Sequence, residues 1–132
     1  MAIRISHLDH FVLTVVDIGR TCDFYESFLG MKRALFGEGR MALHFGNNKI
    51  NLHQADTVVD PNVRHATPGS ADLCFITMTP IAEVVDALNE AGVPIITGPG
   101  ERAGARSQLM SVYFYDPDEN LIEVANEIGA AR

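Results

Sequence analysis

The chain writes one order of elements twice, and this repetition constrains its fold more than any other feature. "LDHFVLTV" at residues 8–15 is rich in β-branched and aromatic residues and too short for a helix, so it predicts a strand. Asp17 follows as an N-cap. Ile18, Cys22, Tyr25, Phe28 and Leu29 then form a helical stripe closed by Gly30. "MKRALFG", "MALHFG" and "KINLHQA" predict three more strands, divided by Gly37, Gly39 and the Gly46-Asn47-Asn48 turn. In the second half "ADLCFITM" predicts a strand, and Thr79-Pro80 an N-cap followed by proline at the first helical position. Ile81, Val84, Val85 and Leu88 supply the stripe, which ends at Gly92. "VPIITG", "LMSVYFYD" and "NLIEVAN" complete the pattern.

Gly92 follows Gly30 by 62 residues, and adding 62 to His10 reaches Asp72. The segment "GPGERAGARSQ" lengthens the second half, so the closing strands are expected at an offset of 70, which pairs His53 with Glu123 (123 − 53). The expected fold is α+β: two tandem βαβββ modules in a curved mixed sheet with helices on its convex face. Module 1 spans about 7–55, a linker about 56–70, and module 2 about 71–127, all within one domain of 1–132.

Composition narrows the partners. Ten Lys and Arg against seventeen Asp and Glu give a net charge of −7, which repels a phosphate backbone and argues against nucleic acid. No run of apolar residues approaches a membrane span, and the N-terminus has no clear cleavage site, so an uncleaved cytoplasmic protein is expected. Cys22 and Cys74 form no spaced metal motif and are expected to be reduced and packed.

Alternation along strands sorts the side chains into two faces. Phe11, Leu13, Val15, Ile50, Leu52, Leu73, Phe75, Ile122 and Val124 share an apolar face, which must lie under the helices. His10, His53, Asp72 and Glu123 fall on the opposite face. Singly, each has an ordinary structural reading, as a hydrogen-bonded strand histidine or a solvated carboxylate. Together, two neutral imidazoles and two carboxylates can surround one divalent ion and leave the site formally uncharged. Separately, Arg102 and Arg106 in "GPGERAGARSQ" are candidates for holding an anionic part of a substrate from a mobile lid, with Tyr113 lining the same cleft. The competing reading is a solvated loop with incidental charge.

"LDHFVLTVVDI", "FYESFLGM", "INLH" and "SVYFYDPDENLIEV" resemble the vicinal oxygen chelate superfamily, which includes glyoxalase I, fosfomycin-resistance, bleomycin-resistance and extradiol dioxygenase proteins. Within it, "KINLHQ", "PGSADLCFIT" and "GPGERAGARSQLMSVYFYDPDENLIEV" most resemble the glyoxalase domain-containing protein 5 group and its bacterial virulence-protein relatives. The resemblance implies metal ligands at His10 and Glu123. Asp72 stands where the superfamily often has a histidine, a departure from the fosfomycin-resistance and dioxygenase triads, and His53 compensates as a further ligand.

By the same resemblance, the expected function is a metal-dependent lyase or isomerase of the glyoxalase type. It would act on a small 2-oxo or hydroxy-carbonyl compound, or its glutathione or other thiol adduct, through a metal-stabilised enediolate with Glu123 as base. Zn, Ni, Co, Mn and Fe all suit the ligand set. The alternatives are an Fe(II) dioxygenase using His10, His53 and Glu123, and a non-catalytic, bleomycin-resistance-like binding protein. A homodimer is expected, with sites built from the first module of one chain and the second of the other.

Overall fold

A computed structural model describes residues 1–130. The chain divides between Pro68 and Gly69 into two compact modules, each holding one four-stranded mixed sheet and one helix. Module 1 contains β1 (His10–Val15), α1 (Ile18–Leu29), β2 (Lys32–Phe36), β3 (Arg40–Phe45) and β4 (Asn48–Gln54), with strand order β1-β4-β3-β2. Module 2 contains β5 (Asp72–Ile76), α2 (Ile81–Glu90), β6 (Thr97–Ala103), β7 (Gln108–Tyr115) and β8 (Leu121–Glu127), with order β5-β8-β7-β6. In each, the first strand pairs in parallel with the last, a connection that needs the intervening helix as its crossover. Among the described residues no helix is long and apolar enough to cross a membrane.

The helix side of each sheet carries the core. Leu13, Val15, Leu43, Ile50 and Leu52 are buried in module 1 with Cys22 and Tyr25 of α1. Val112, Phe114, Ile122 and Val124 are buried in module 2 with Leu88 of α2. Burying each such side chain stabilises by roughly 1.5–3 kcal/mol. Cys74 is an exception to the packed-cysteine expectation: it is exposed because its parity puts it on the face away from the helix.

Both helices are fastened by an amide side chain from the closing strand of their own module. Asp17 caps α1 as expected, accepting from the Arg20 N–H at 2.9 Å. Gln54 adds a second tie, its Oε1 accepting from Ile18 N–H at 3.2 Å while its Nε2 donates to the Val16 carbonyl. In α2 the expected Thr79 cap is absent. Pro80 occupies the cap position and offers no side-chain hydrogen bond. Asn126 takes over, its Oδ1 accepting from Ile81 N–H at 2.8 Å and its Nδ2 donating to the carbonyls of Thr77 and Thr79 at 2.9 and 2.8 Å.

Two sequence expectations shift in module 2. "VPIITG" becomes a strand only from Thr97, because Pro94 has no N–H to give a ladder. The presumed lid is also largely a strand: Gly98 to Ala103 lie in β6, Gly100 to Ala103 pair with β7, and only the segment at Gly104–Ser107 turns the chain. The register shifts between Thr97 and Gly100. There Gly98 has φ of 102°, and a Cβ would stand 2.4 Å from the Ser111 carbonyl oxygen, so only glycine fits this close approach.

Candidate functional site

The parallel ladders fix which residues of the two modules are equivalent. Val12 pairs with Asn51 in module 1 and Cys74 with Glu123 in module 2. Since 74 − 12 is 62 and 123 − 51 is 72, the closing strands repeat at an offset of 72, not 70. The amide ties agree, because 126 − 54 is also 72. Glu123 therefore matches Asn51, and His53 matches Ala125. The offset of 70 expected from the sequence falls two residues short of the one the ladders set. Side-chain parity survives a two-residue slip, so His53 still faces away from the helix, but one pleat repeat further along.

The consequence is a matched pair of polar side chains in each module. His10 lies opposite Lys49, so Asn51 is two positions along the neighbouring strand. Asp72 lies opposite Leu121, so Glu123 is likewise two positions along. Both diagonals span roughly 7 Å of strand, whereas His10 and His53 are separated by four positions, roughly 13 Å. Asn51 thus occupies the place equivalent to Glu123 that the sequence alignment gave to His53. The signal was present in the parallel "INL" and "IEV" of the two closing strands, whose apolar flanks align Asn51 with Glu123 directly.

Local interactions suit these residues to bind something. The His10 imidazole meets the Asp9 carboxylate through Nδ1 at 2.8 Å, which leaves Nε2 to face other partners. That hydrogen bond is the main cause holding the Asp9 carboxyl below its ordinary value. Asn51 Oδ1 and Glu123 Oε2, at equivalent places, are both enclosed without a hydrogen-bond partner, as are His53 Nδ1 and Ser111 Oγ. A buried acceptor left unsatisfied is costly unless a proton, cation or ligand takes it up.

Glu123 is flanked by Cys74 on β5 and Tyr113 on β7. The Cys74 thiol is pushed up to about 11, by burial of the thiol first and by the Glu123 carboxylate second, although the residue as a whole is exposed. The Tyr113 hydroxyl is also raised, by burial and then by Glu123, against an opposing pull from Arg102. The Arg102 guanidinium lies 5.5 Å from the Tyr113 ring centroid. Arg106 does not join them. Both its Nε and Nη2 donate to Glu127, at 2.6 and 2.9 Å, so its fork is already engaged. Among the described residues, no group of three or more His, Cys, Asp and Glu side chains gathers as a ready metal cluster.

These paired modules, each with a parallel first-to-last strand pairing and a polar face opposite its helix, define a member of a known class. The chain belongs to the Glyoxalase/Bleomycin resistance protein/Dioxygenase superfamily, whose family model matches residues 7–124. It is 51% identical over 124 residues to the virulence protein STM3117 of Salmonella typhimurium, covering 94% of this chain and 86% of that protein. It is 44% identical over 124 residues to the glyoxalase domain-containing protein RDO1 of Mycosarcoma maydis, covering 94% and 70%. Among solved structures, the integron cassette protein VCH_CASS1 from the mobile metagenome of V. cholerae matches with a TM-score of 0.94 at 50% identity, covering 97% of this chain and all of that one (100%).

Proposed function

We propose that the protein is a metal-dependent lyase or isomerase of the glyoxalase type, acting on a small 2-oxo or hydroxy-carbonyl compound or its thiol adduct. The observation that carries this reading is Glu123: a partly buried carboxylate with one oxygen enclosed and unpartnered, between Cys74 and Tyr113. Family membership and the 44% identity to a glyoxalase domain-containing protein support it.

His10, Asp72 and Glu123 would hold one divalent ion. The repeat register supports Asn51, rather than His53, at the fourth place. Mixed imidazole and oxygen donors suit Zn, Ni, Co, Mn or Fe. When bound, the metal supplies positive charge where negative charge develops on adjacent oxygens of the substrate. Glu123 takes a proton from one carbon and returns it to its neighbour, the work of a single carboxylate within reach of both. Tyr113 stays protonated beside it and orients the carboxylate. The donor pairs come from both modules, and a homodimer that sets the first module of one chain against the second of the other would form two such sites.

The test is turnover of methylglyoxal with glutathione by protein reconstituted separately with each metal. Metal-dependent activity that Glu123→Gln lowers at least about a hundredfold is the expected result. Activity unchanged by the substitution, or by removing metal, would reject the reading.

A further inference from the structure

The face of the module 1 sheet opposite α1 carries two rows of basic and aromatic side chains. One row across that face runs Thr14, His53, Arg40 and Phe36. Thr14 pairs with His53 and Arg40 with Phe36, and Arg40 stands opposite His53 one step beyond the Met41–Leu52 pair. Four positions away, a second row runs His10, Lys49, His44 and Lys32. Between them Ala42 and Ala34 pair with one another. Neither row contains an acidic residue, in a chain of net charge −7.

The two cations converge instead of separating. The Arg40 guanidinium lies 4.6 Å from the Phe36 ring centroid, and Lys49 Nζ reaches the same ring at 3.6 Å from the other row. The small side chains of Ala34 and Ala42 leave that path low. Among the described residues no carboxylate makes a direct ion pair with either cation, although the Lys49 charge is felt by the Asp9 carboxylate. Like charges gathered on one ring repel, and each cation–π contact returns only about 0.5–2 kcal/mol. An anion between them removes the repulsion. His53, beside Arg40 in the same row, adds an enclosed Nδ1 with no partner.

We propose that Arg40, Lys49 and His53, arranged around Phe36, form an anion-binding site for the carboxylate or phosphoryl group of a small organic ligand. The guanidinium and ammonium supply charge-assisted hydrogen bonds, the imidazole one further polar contact, and the Phe36 ring an apolar wall for the ligand's carbon skeleton. The site uses no metal. It therefore stands or falls separately from the catalytic reading.

The experiment titrates inorganic phosphate and, separately, succinate into full-length, EDTA-treated protein at low salt, followed by amide chemical shifts. Saturable binding is expected, weakened about tenfold in each of Arg40→Ala and Lys49→Ala. Arg40→Lys should be affected less than Arg40→Ala, and Arg20→Ala, on α1, should match the parent. Unchanged chemical-shift dispersion in the variants separates lost binding from lost folding. Binding of phosphate alone assigns a phosphoryl ligand, and of succinate alone a carboxylate. Saturation by neither, affinity indifferent to Arg40 and Lys49, or binding seen only without EDTA would overturn the proposal.

Discussion

The two modules share a scaffold and differ in the chemistry of their open faces. Module 1 presents His10, Asn51 and His53 beside Arg40 and Lys49, while module 2 presents Asp72 and Glu123 beside Cys74 and Tyr113. On the helix side the same positions are apolar in both, because any exchange there opens a cavity or buries an unpaired polar group. The open face has no such restriction. The two modules thus share the elements that hold the fold and differ on the opposite face, one half carrying cations and neutral polar groups, the other carboxylates.

The comparison can be broken first at the core. Phe114 is fully buried in module 2, and Phe114→Ala should cost about 3–5 kcal/mol, measured as a fall in the urea midpoint. A cost under about 1 kcal/mol would show that the helix-side positions are not restrictive. The amide ties come next. Asn126→Ala removes three hydrogen bonds at the start of α2 and should cost about 1–3 kcal/mol, more than Gln54→Ala, where Asp17 still caps α1. Equal losses would make the two ties interchangeable.

The caps themselves should differ. Asp17→Ala should destabilise by about 1 kcal/mol, whereas Thr79→Ala should change stability by less than about 0.5 kcal/mol, because Asn126 serves α2 in its place. Thermal unfolding of the two variants side by side resolves them. The smallest effect concerns Cys74. With its pKa near 11, about one thiol in a thousand is ionised at pH 8, so alkylation should be slow despite exposure. Glu123→Gln removes the second cause of that shift and should quicken alkylation severalfold, as read by mass spectrometry. An unchanged rate would separate Cys74 from the Glu123 carboxylate.

Much of this was legible in the residues. Helical stripes, the Asp17 cap and the left-handed glycines at Gly30 and Gly92 are local, set by neighbours within a turn of chain. The division of polar and apolar residues between the two faces was legible too, since alternation needs no knowledge of partners. What escaped depends on pairing between distant strands. The two-residue slip that exchanges His53 for Asn51 preserves every parity and is decided by the parallel ladder alone. Asn126 gives no sign in sequence that it will cap a helix 45 residues earlier. "GPGERA" reads as a loop from its glycines and proline, yet β7 offers it an edge to pair with. The cationic cluster around Phe36 is assembled from three strands and two rows, no two of its charges adjacent in the chain.

The central claim, that the two modules contribute equivalent donor pairs in which Asn51 and not His53 answers to Glu123, is tested most directly by metal content. Protein purified from metal-supplemented culture would be analysed by elemental mass spectrometry as the parent, His10→Ala, Glu123→Gln and His53→Ala. The account predicts metal in the parent and in His53→Ala, and its loss in His10→Ala and Glu123→Gln. Full metal in Glu123→Gln, or its loss in His53→Ala alone, would contradict it.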